Sequence, residues 1–421
     1  MRRLLAALLL AATVTAARAD NWPQWRGPNN DGICAEKNPP TKWDEKTNVC
    51  WKLPLPGIGA STPAVWGDRI FLTAESGKKV VGVCVSTDGK ELWRIDLGNV
   101  TSHARGDEGS AATASPSTDG THVWFFAGSG ELTCVDFAGK EVWTVNLQDR
   151  YGKFKNQFGI HSTPVLFGDR LYLQLIHSGA ALVAALDKVT GKEIWKVKRE
   201  SDGTDENEHS YASPVMWSNG KDAYLIAHGN DYATAHNLKD GSEIWRLGDL
   251  NVKDRYDRTL RFVASPVATP DLIVVPSAKR GPVIGVKPEA TGLAMKDSPY
   301  VQFRFPVTPD VPAPLVKDGL VYLLDANGSF LLCLDAKTGK QVYKQDLIKG
   351  RARHRASPAY ADGNVYLLSK DGGTATIVKA GPNYELVASN KLDDMFSASP
   401  AFSNGRIYLR GYKSLYAIGE K

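Results

Sequence analysis

The stretch Ala185 to Trp195, A-L-D-K-V-T-G-K-E-I-W, recurs along the chain. Partial copies stand at Cys134 to Trp143, Ala235 to Trp245 and Cys333 to Tyr343, with a shortened one at Cys84 to Trp93. Each copy reads as a strand that ends in a polar turn and a second strand that delivers an aromatic residue, so the unit is a hairpin. The turn glycine has a local reason, because such a turn needs a residue at positive φ. A hairpin cannot bury its own face, and copies at a near-fixed period therefore require one unit to stack on the next.

A second marker sets the period. A small or hydroxyl residue followed by proline occurs at Pro63, Pro116, Pro164, Pro214, Pro266, Pro314, Pro358 and Pro400, at spacings of 53, 48, 50, 52, 48, 44 and 42 residues. Behind each proline come a short apolar strand, a turn, an alternating strand such as R-L-Y-L-Q-L, a third apolar strand, and the polar turn with its aromatic fourth strand. Four strands at this period define a propeller blade and not a helical solenoid. The chain is therefore expected to be all-β, an eight-bladed propeller of four-stranded antiparallel blades, with no convincing amphipathic helix.

The eighth unit, Ser397 to Ile418, has only three strands. The missing aromatic strand stands near the other end of the chain, at Val49 to Leu53, so the segment 20–56 is expected to close the ring and remove an open sheet edge. The fifth and seventh units are irregular: Pro288 to Pro299 replaces the usual turn, and the region around Tyr384 carries no tryptophan.

Residues 1–19 read as a signal peptide, with Arg2 and Arg3 before an apolar run and Ala17-Arg18-Ala19 at the cleavage site. This leaves 20–421 as a single propeller domain, periplasmic or secreted, without a transmembrane span. Net charge is +5. Without Arg2, Arg3 and Arg18, 48 basic side chains face 46 acidic ones, a balance that gives no electrostatic footprint for nucleic acid. Of five cysteines, Cys84, Cys134 and Cys333 share one place in their repeats and are expected to be buried thiols. Cys34 and Cys50 lie outside the regular repeats, where an oxidising compartment permits a disulfide between them.

The A-x-D-x-x-T-G-x-x-x-W pattern, complete in Ala185 to Trp195 and near-complete in Ala235 to Trp245, resembles the docking motif of quinoprotein-dehydrogenase-like propellers. The opening W-P-Q-W-R-G-P-N-N-D-G is similar to the start of exported propellers of that superfamily. The resemblance implies the eight-bladed fold and a docking role for Trp51, Trp93, Trp143, Trp195 and Trp245. Two branches differ in function. In the dehydrogenases, pyrroloquinoline quinone lies in the central funnel against a pair of adjacent bonded cysteines, above a Ca²⁺ held by carboxylate and amide oxygens. This chain has no adjacent cysteines. The other branch resembles the outer-membrane assembly lipoprotein propeller, a non-catalytic scaffold that binds protein partners through its loops, although no lipid-attachment cysteine follows the expected cleavage.

Propeller connections between fourth and first strands, and between second and third strands, share one face. His103, His161, His177, His209, His228 and His354 fall in or beside such loops, with Arg105, Asp107, Glu108, Arg255, Asp257, Arg258, Arg261, Arg280, Arg351, Arg353 and Arg355. Three residues before each proline, Ala60, Thr113, His161, Tyr211, Val263, Val311, Arg355 and Ser397 should line the funnel mouth. His161 and His209 are candidate ligands for a borderline metal, but no diagnostic spacing supports one and no metal is expected. Arg261, Arg280 and Arg355, with Tyr211, compose a candidate anion or peptide site. The acidic run Asp202 to Glu208 reads as a solvated loop, without the spacing of a calcium loop.

These features lead to an exported, non-enzymatic scaffold that meets protein partners on its loop face, a monomer with no cofactor. A pyrroloquinoline-quinone dehydrogenase with Ca²⁺ is the alternative, and a small-ligand or glycan binder in the same funnel is the third.

Overall fold

The structure is a computed structural model and describes residues 21–101, 109–279, 281–347 and 352–420. Eight sheets follow one another around a central channel. Blade 3 is typical: Val165–Phe167 lies innermost, followed outward by Arg170–His177, Ala180–Asp187 and Glu193–Lys198, all antiparallel. Its middle strands are buried almost throughout while the outermost alternates, because sheets stack on both faces and only the outer edge meets water.

The ring closes as the chain order requires. Val49–Pro54 pairs antiparallel with Ser414–Ile418 as the outermost strand of blade 8, placing Trp51 opposite Ala417 and its ring 6.1 Å from that of Tyr408. Adjacent blades are latched by the repeated motif. The indole of Trp51 donates to Thr87 O of blade 1, Trp93 to Phe137 O of blade 2, Trp143 to Lys188 O of blade 3 and Trp195 to Leu238 O of blade 4, at 2.8–3.1 Å. Each indole also lies beneath the turn glycine of the next blade: a Cβ on Gly89, Gly139, Gly191 or Gly241 would stand 2.6–2.8 Å from it. Those glycines are thus required twice, for φ between +67° and +83° and for clearance.

Two blades gain a fifth strand. Residues of the irregular fifth unit return to blade 4, where Gly292–Ala294 pairs parallel with Glu243–Leu247. Ile33–Cys34 lies parallel to the innermost strand of blade 7, Ala359–Ala361. That placement corrects the expected disulfide. Cys34 sits at the inner edge of blade 7 and Cys50 on the outer strand of blade 8, opposite radial ends of neighbouring blades, and neither is bonded. Cys84, Cys134 and Cys333 are buried thiols. The chain also holds a five-residue helix, Leu147–Tyr151, whose first N–H groups are accepted by Asn146; it is too short to show a helical period in the sequence.

The opening segment does more than reach the closing strand. Trp22 bridges Val65 of blade 1, Pro23 O accepts from Thr118 of blade 2, Gln24 accepts from Leu166 of blade 3, Arg26 donates to Pro314 O ahead of blade 6, and Gly32 O accepts from Tyr360 of blade 7. Residues 22–32 therefore cross the channel at the end away from the loop face and make it a blind funnel.

Candidate functional site

The funnel is a cavity of about 250 Å³. Trp25 of the opening segment lines it, and all eight residues at the third position before a proline lie on its wall: Ala60, Thr113, His161, Tyr211, Val263, Val311, Arg355 and Ser397. A second ring lies directly before the prolines: Thr62, Ser115, Thr163, Ser213, Ser265, Ala313, Ser357 and Ser399. Its hydroxyls have a structural task. The backbone N–H of Thr62 donates to Ser115 Oγ, Ser115 to Thr163, Thr163 to Ser213, Ser213 to Ser265, Ala313 to Ser357, Ser357 to Ser399 and Ser399 back to Thr62, at 2.8–3.1 Å. Only at Ala313 is there no hydroxyl to accept from the preceding blade. The recurrent hydroxyl-proline marker is therefore a belt that fixes each innermost strand to its neighbour.

At the mouth, Tyr211 is buried, accepts a bond from Phe158 N–H at 3.3 Å and packs on the rings of His161 and Phe158. Burial pushes its hydroxyl up to about 12, so it stays neutral. The His161 Nε2 lies 2.7 Å from Phe158 O. Arg261 stands over the Phe158 ring at 4.5 Å and bonds Glu206 at 2.7 Å. Arg355 donates to Ala326 O at 2.9 Å and to His354 O at 3.1 Å. Arg280 lies outside the described residues, as do His103, Arg105, Asp107, Glu108 and Arg351.

His209 does not join the funnel. It is half-buried in the loop ahead of blade 4, where desolvation lowers its basicity, and it is not among the wall residues that include His161. No cluster of three metal-binding side chains occurs among the described residues. The acidic run is also more than a solvated loop. Asp202 pairs with Lys253, Asp205 with Arg258 and Glu206 with Arg261, while the fully buried Asn207 donates to Asp257 O. The loops before blades 4 and 5 are thus zipped together over the Asn230-Asp231 turn, and Tyr256 donates to Asp231 at 2.5 Å.

Phe158, Tyr412 and Trp25 were not legible as wall residues, because irregular loops and the opening segment have no repeat position from which to project them. Trp25 left one signal, its place beside a second tryptophan in a turn-rich stretch.

The quinone and Ca²⁺ of the dehydrogenase branch do not fit the described wall. Calcium takes hard oxygen ligands, and the described wall residues include no Asp, Glu, Asn or Gln, nor any cysteine to cover a quinone face.

No curated protein sequence matches the chain. Among solved structures, BamB from Moraxella catarrhalis aligns with a TM-score of 0.60 at 13% identity, covering 86% of this chain and 94% of that one. The quinohemoprotein alcohol dehydrogenase from Comamonas testosteroni aligns at 0.67 and 14% identity, covering 97% and 82%. A europium-containing methanol dehydrogenase aligns at 0.67 and 11% identity, covering 94% and 90%. At these identities the likeness is one of fold. No helix among the described residues is long and apolar enough to cross a membrane. The family model described as outer membrane protein assembly factor BamB matches residues 77–286 and 294–420, most of the chain, and the protein belongs to that PQQ-like propeller family.

Proposed function

We propose that this protein is an exported, non-enzymatic propeller, working without a bound cofactor, that presents its loop face to protein partners. The observation that carries the reading is the zipped pair of loops before blades 4 and 5. Their ion pairs and the buried Asn207 hold Tyr256, Arg258 and neighbouring side chains on a fixed platform, and a pre-ordered surface loses less entropy on docking. The family's description as an outer membrane protein assembly factor supports the same reading. So does the lack of carboxylate and amide side chains for Ca²⁺ on the described funnel wall. Residues 1–19 would direct export and be removed, leaving a monomer in the periplasm.

A photo-crosslinker placed at Tyr256 in cells should trap one defined protein, while the same group at Phe167, on the opposite rim, should not. Equal trapping from both positions would overturn the loop-face assignment. Stoichiometric retention of pyrroloquinoline quinone with Ca²⁺ after desalting, with dye reduction by alcohols, would overturn the non-enzymatic one.

A further inference from the structure

From the guanidinium groups that surround the blind funnel, we infer that it is a binding site for a small organic carboxylate. The inference goes beyond the docking of proteins on the loop face and does not depend on it.

Two arginines line the cavity and two more lie buried behind lining residues. Arg261 and Arg355 line its mouth. Arg26 follows the lining residue Trp25, its guanidinium 5.8 Å from the Trp25 ring. Arg410 lies behind the wall against Gly59, beside the lining residue Ala60 and two residues before the lining residue Tyr412. Arg26 and Arg410 are each 1% exposed. Arg26 leaves Nη1 without a hydrogen-bond partner in the protein, and Arg410 leaves Nε, Nη1 and Nη2 without one.

Asp31 stands in the field of Arg26, and Asp394 and Glu75 in that of Arg410, each of these carboxylates also accepting hydrogen bonds from other groups. Glu75 accepts from Ser110 Oγ and Ala111 N–H, both at 2.8 Å. Asp394 accepts from the backbone of Met395, Lys413 and Ser414 and from Tyr416. Glu206 takes one nitrogen of Arg261, and Asp310 lies in the field of both mouth arginines. The described wall itself carries two arginines and no acidic group, with Glu206 and Asp310 standing behind them. A narrow cavity with low-dielectric walls concentrates the field of the groups that line it.

The shape selects the rest of the ligand. About 250 Å³ holds a molecule of modest size, and Trp25, Phe158 and Tyr211 offer ring faces to an apolar body whose carboxylate turns toward the arginines. The neutral Tyr211 hydroxyl and the hydroxyl belt add polar atoms without adding negative charge.

The test is calorimetric titration of the full chain at low salt with sodium benzoate and with its neutral isostere benzamide. Benzoate should bind and benzamide should not. Arg355→Gln and Arg261→Gln should each weaken benzoate by about tenfold or more. Val263→Trp, which fills the cavity and leaves every arginine in place, should abolish binding, so the test survives if an arginine variant folds poorly. A hexapeptide with a free C-terminus, compared with its amide, identifies the source: competition by the free acid alone assigns the carboxylate to the end of a docked chain, and benzoate binding without peptide competition assigns it to a free small molecule. Equal binding of benzamide, undiminished binding to Val263→Trp, or no binding of either benzoate or the free-ended peptide would overturn the inference. None of these results bears on crosslinking from Tyr256, so the two readings fail separately.

Discussion

The contact between blades 3 and 4 and the contact between blades 4 and 5 bury the same residue in different ways. At the first, Trp195 lies under Gly241 and donates to Leu238 O at 2.9 Å. At the second, Trp245 is 1% exposed and its indole N–H reaches no turn carbonyl, facing the Tyr224 side chain instead. The turn that should have received it is replaced by the stretch from Pro288 to Pro299. That stretch leaves Gly292 opposite Trp245 in a parallel strand, while Tyr224 meets the indole edge-on and donates to Pro288 O at 2.8 Å. Burial of the ring is therefore shared by both contacts, and the bond from the indole N–H to a turn carbonyl belongs only to the latch. The latch is one solution to covering an aromatic residue, and an added strand is another.

The sharpest way to break that comparison is substitution of the two tryptophans. Trp195→Ala and Trp245→Ala should each destabilise by about 3–5 kcal/mol in urea unfolding, since both empty a buried site. Phenylalanine should separate them. Trp195→Phe also removes one of the two donors to the Leu238 carbonyl, Arg170 being the other, and should cost about 1 kcal/mol more than Trp245→Phe, which loses no such bond. Equal costs would mean that the hydrogen bond adds nothing to the latch.

Next in size is the glycine above the ring. Gly241→Ala meets both a φ of +78° and the Trp195 ring, and should cost about 2–4 kcal/mol. Gly168→Ala, at φ +62° with nothing near its Cβ, should cost only about 1 kcal/mol.

Acid should probe the other contact. His228 is fully buried on the blade 4 side with its ring edge-on to Phe262 at 5.2 Å. Desolvation, aided by Arg199, lowers its pKa to about 3, while the bond with Pro276 opposes the shift. A base with a depressed folded pKa holds fewer protons folded than unfolded. Its contribution is therefore complete above the unfolded value near 6.5 and is lost as pH falls toward 3, at roughly 1.4 kcal/mol per unit. His228→Gln should flatten the dependence of urea stability on pH by about that slope between pH 6 and 4, and an unchanged slope would remove His228 from the account.

The smallest effect concerns the belt. Ala313→Ser supplies the missing hydroxyl between blades 5 and 6 and should stabilise by about 0.5–1 kcal/mol. No gain in the urea midpoint would show that belt bonds merely replace water.

Much of this arrangement was legible because it repeats. Eight proline markers gave the blade count, the third position before each gave eight wall residues, and the orphan strand around Trp51 gave the closure. The disulfide between Cys34 and Cys50 was misjudged because redox context says nothing about radial position, and one cysteine lies at an inner edge while the other lies at an outer one. The acidic run looked solvated because its partners, Lys253, Arg258 and Arg261, come from the next interblade loop. Arg26 and Arg410 gave no warning: a guanidinium in a polar loop or at a strand end reads as exposed, and only packing from several blades removes it from water.

By itself the amino-acid sequence determined the sheet-forming period, the number of blades and which side chains point down the axis, since each follows from local alternation and a repeated turn. The tertiary structure alone decided that residues 22–32 cross the channel and block one end, that Gly292–Ala294 caps a neighbouring blade, and that two arginines are buried around the cavity. Those outcomes depend on contacts between segments hundreds of residues apart, where chain order sets no distance and only the closed ring brings the groups together.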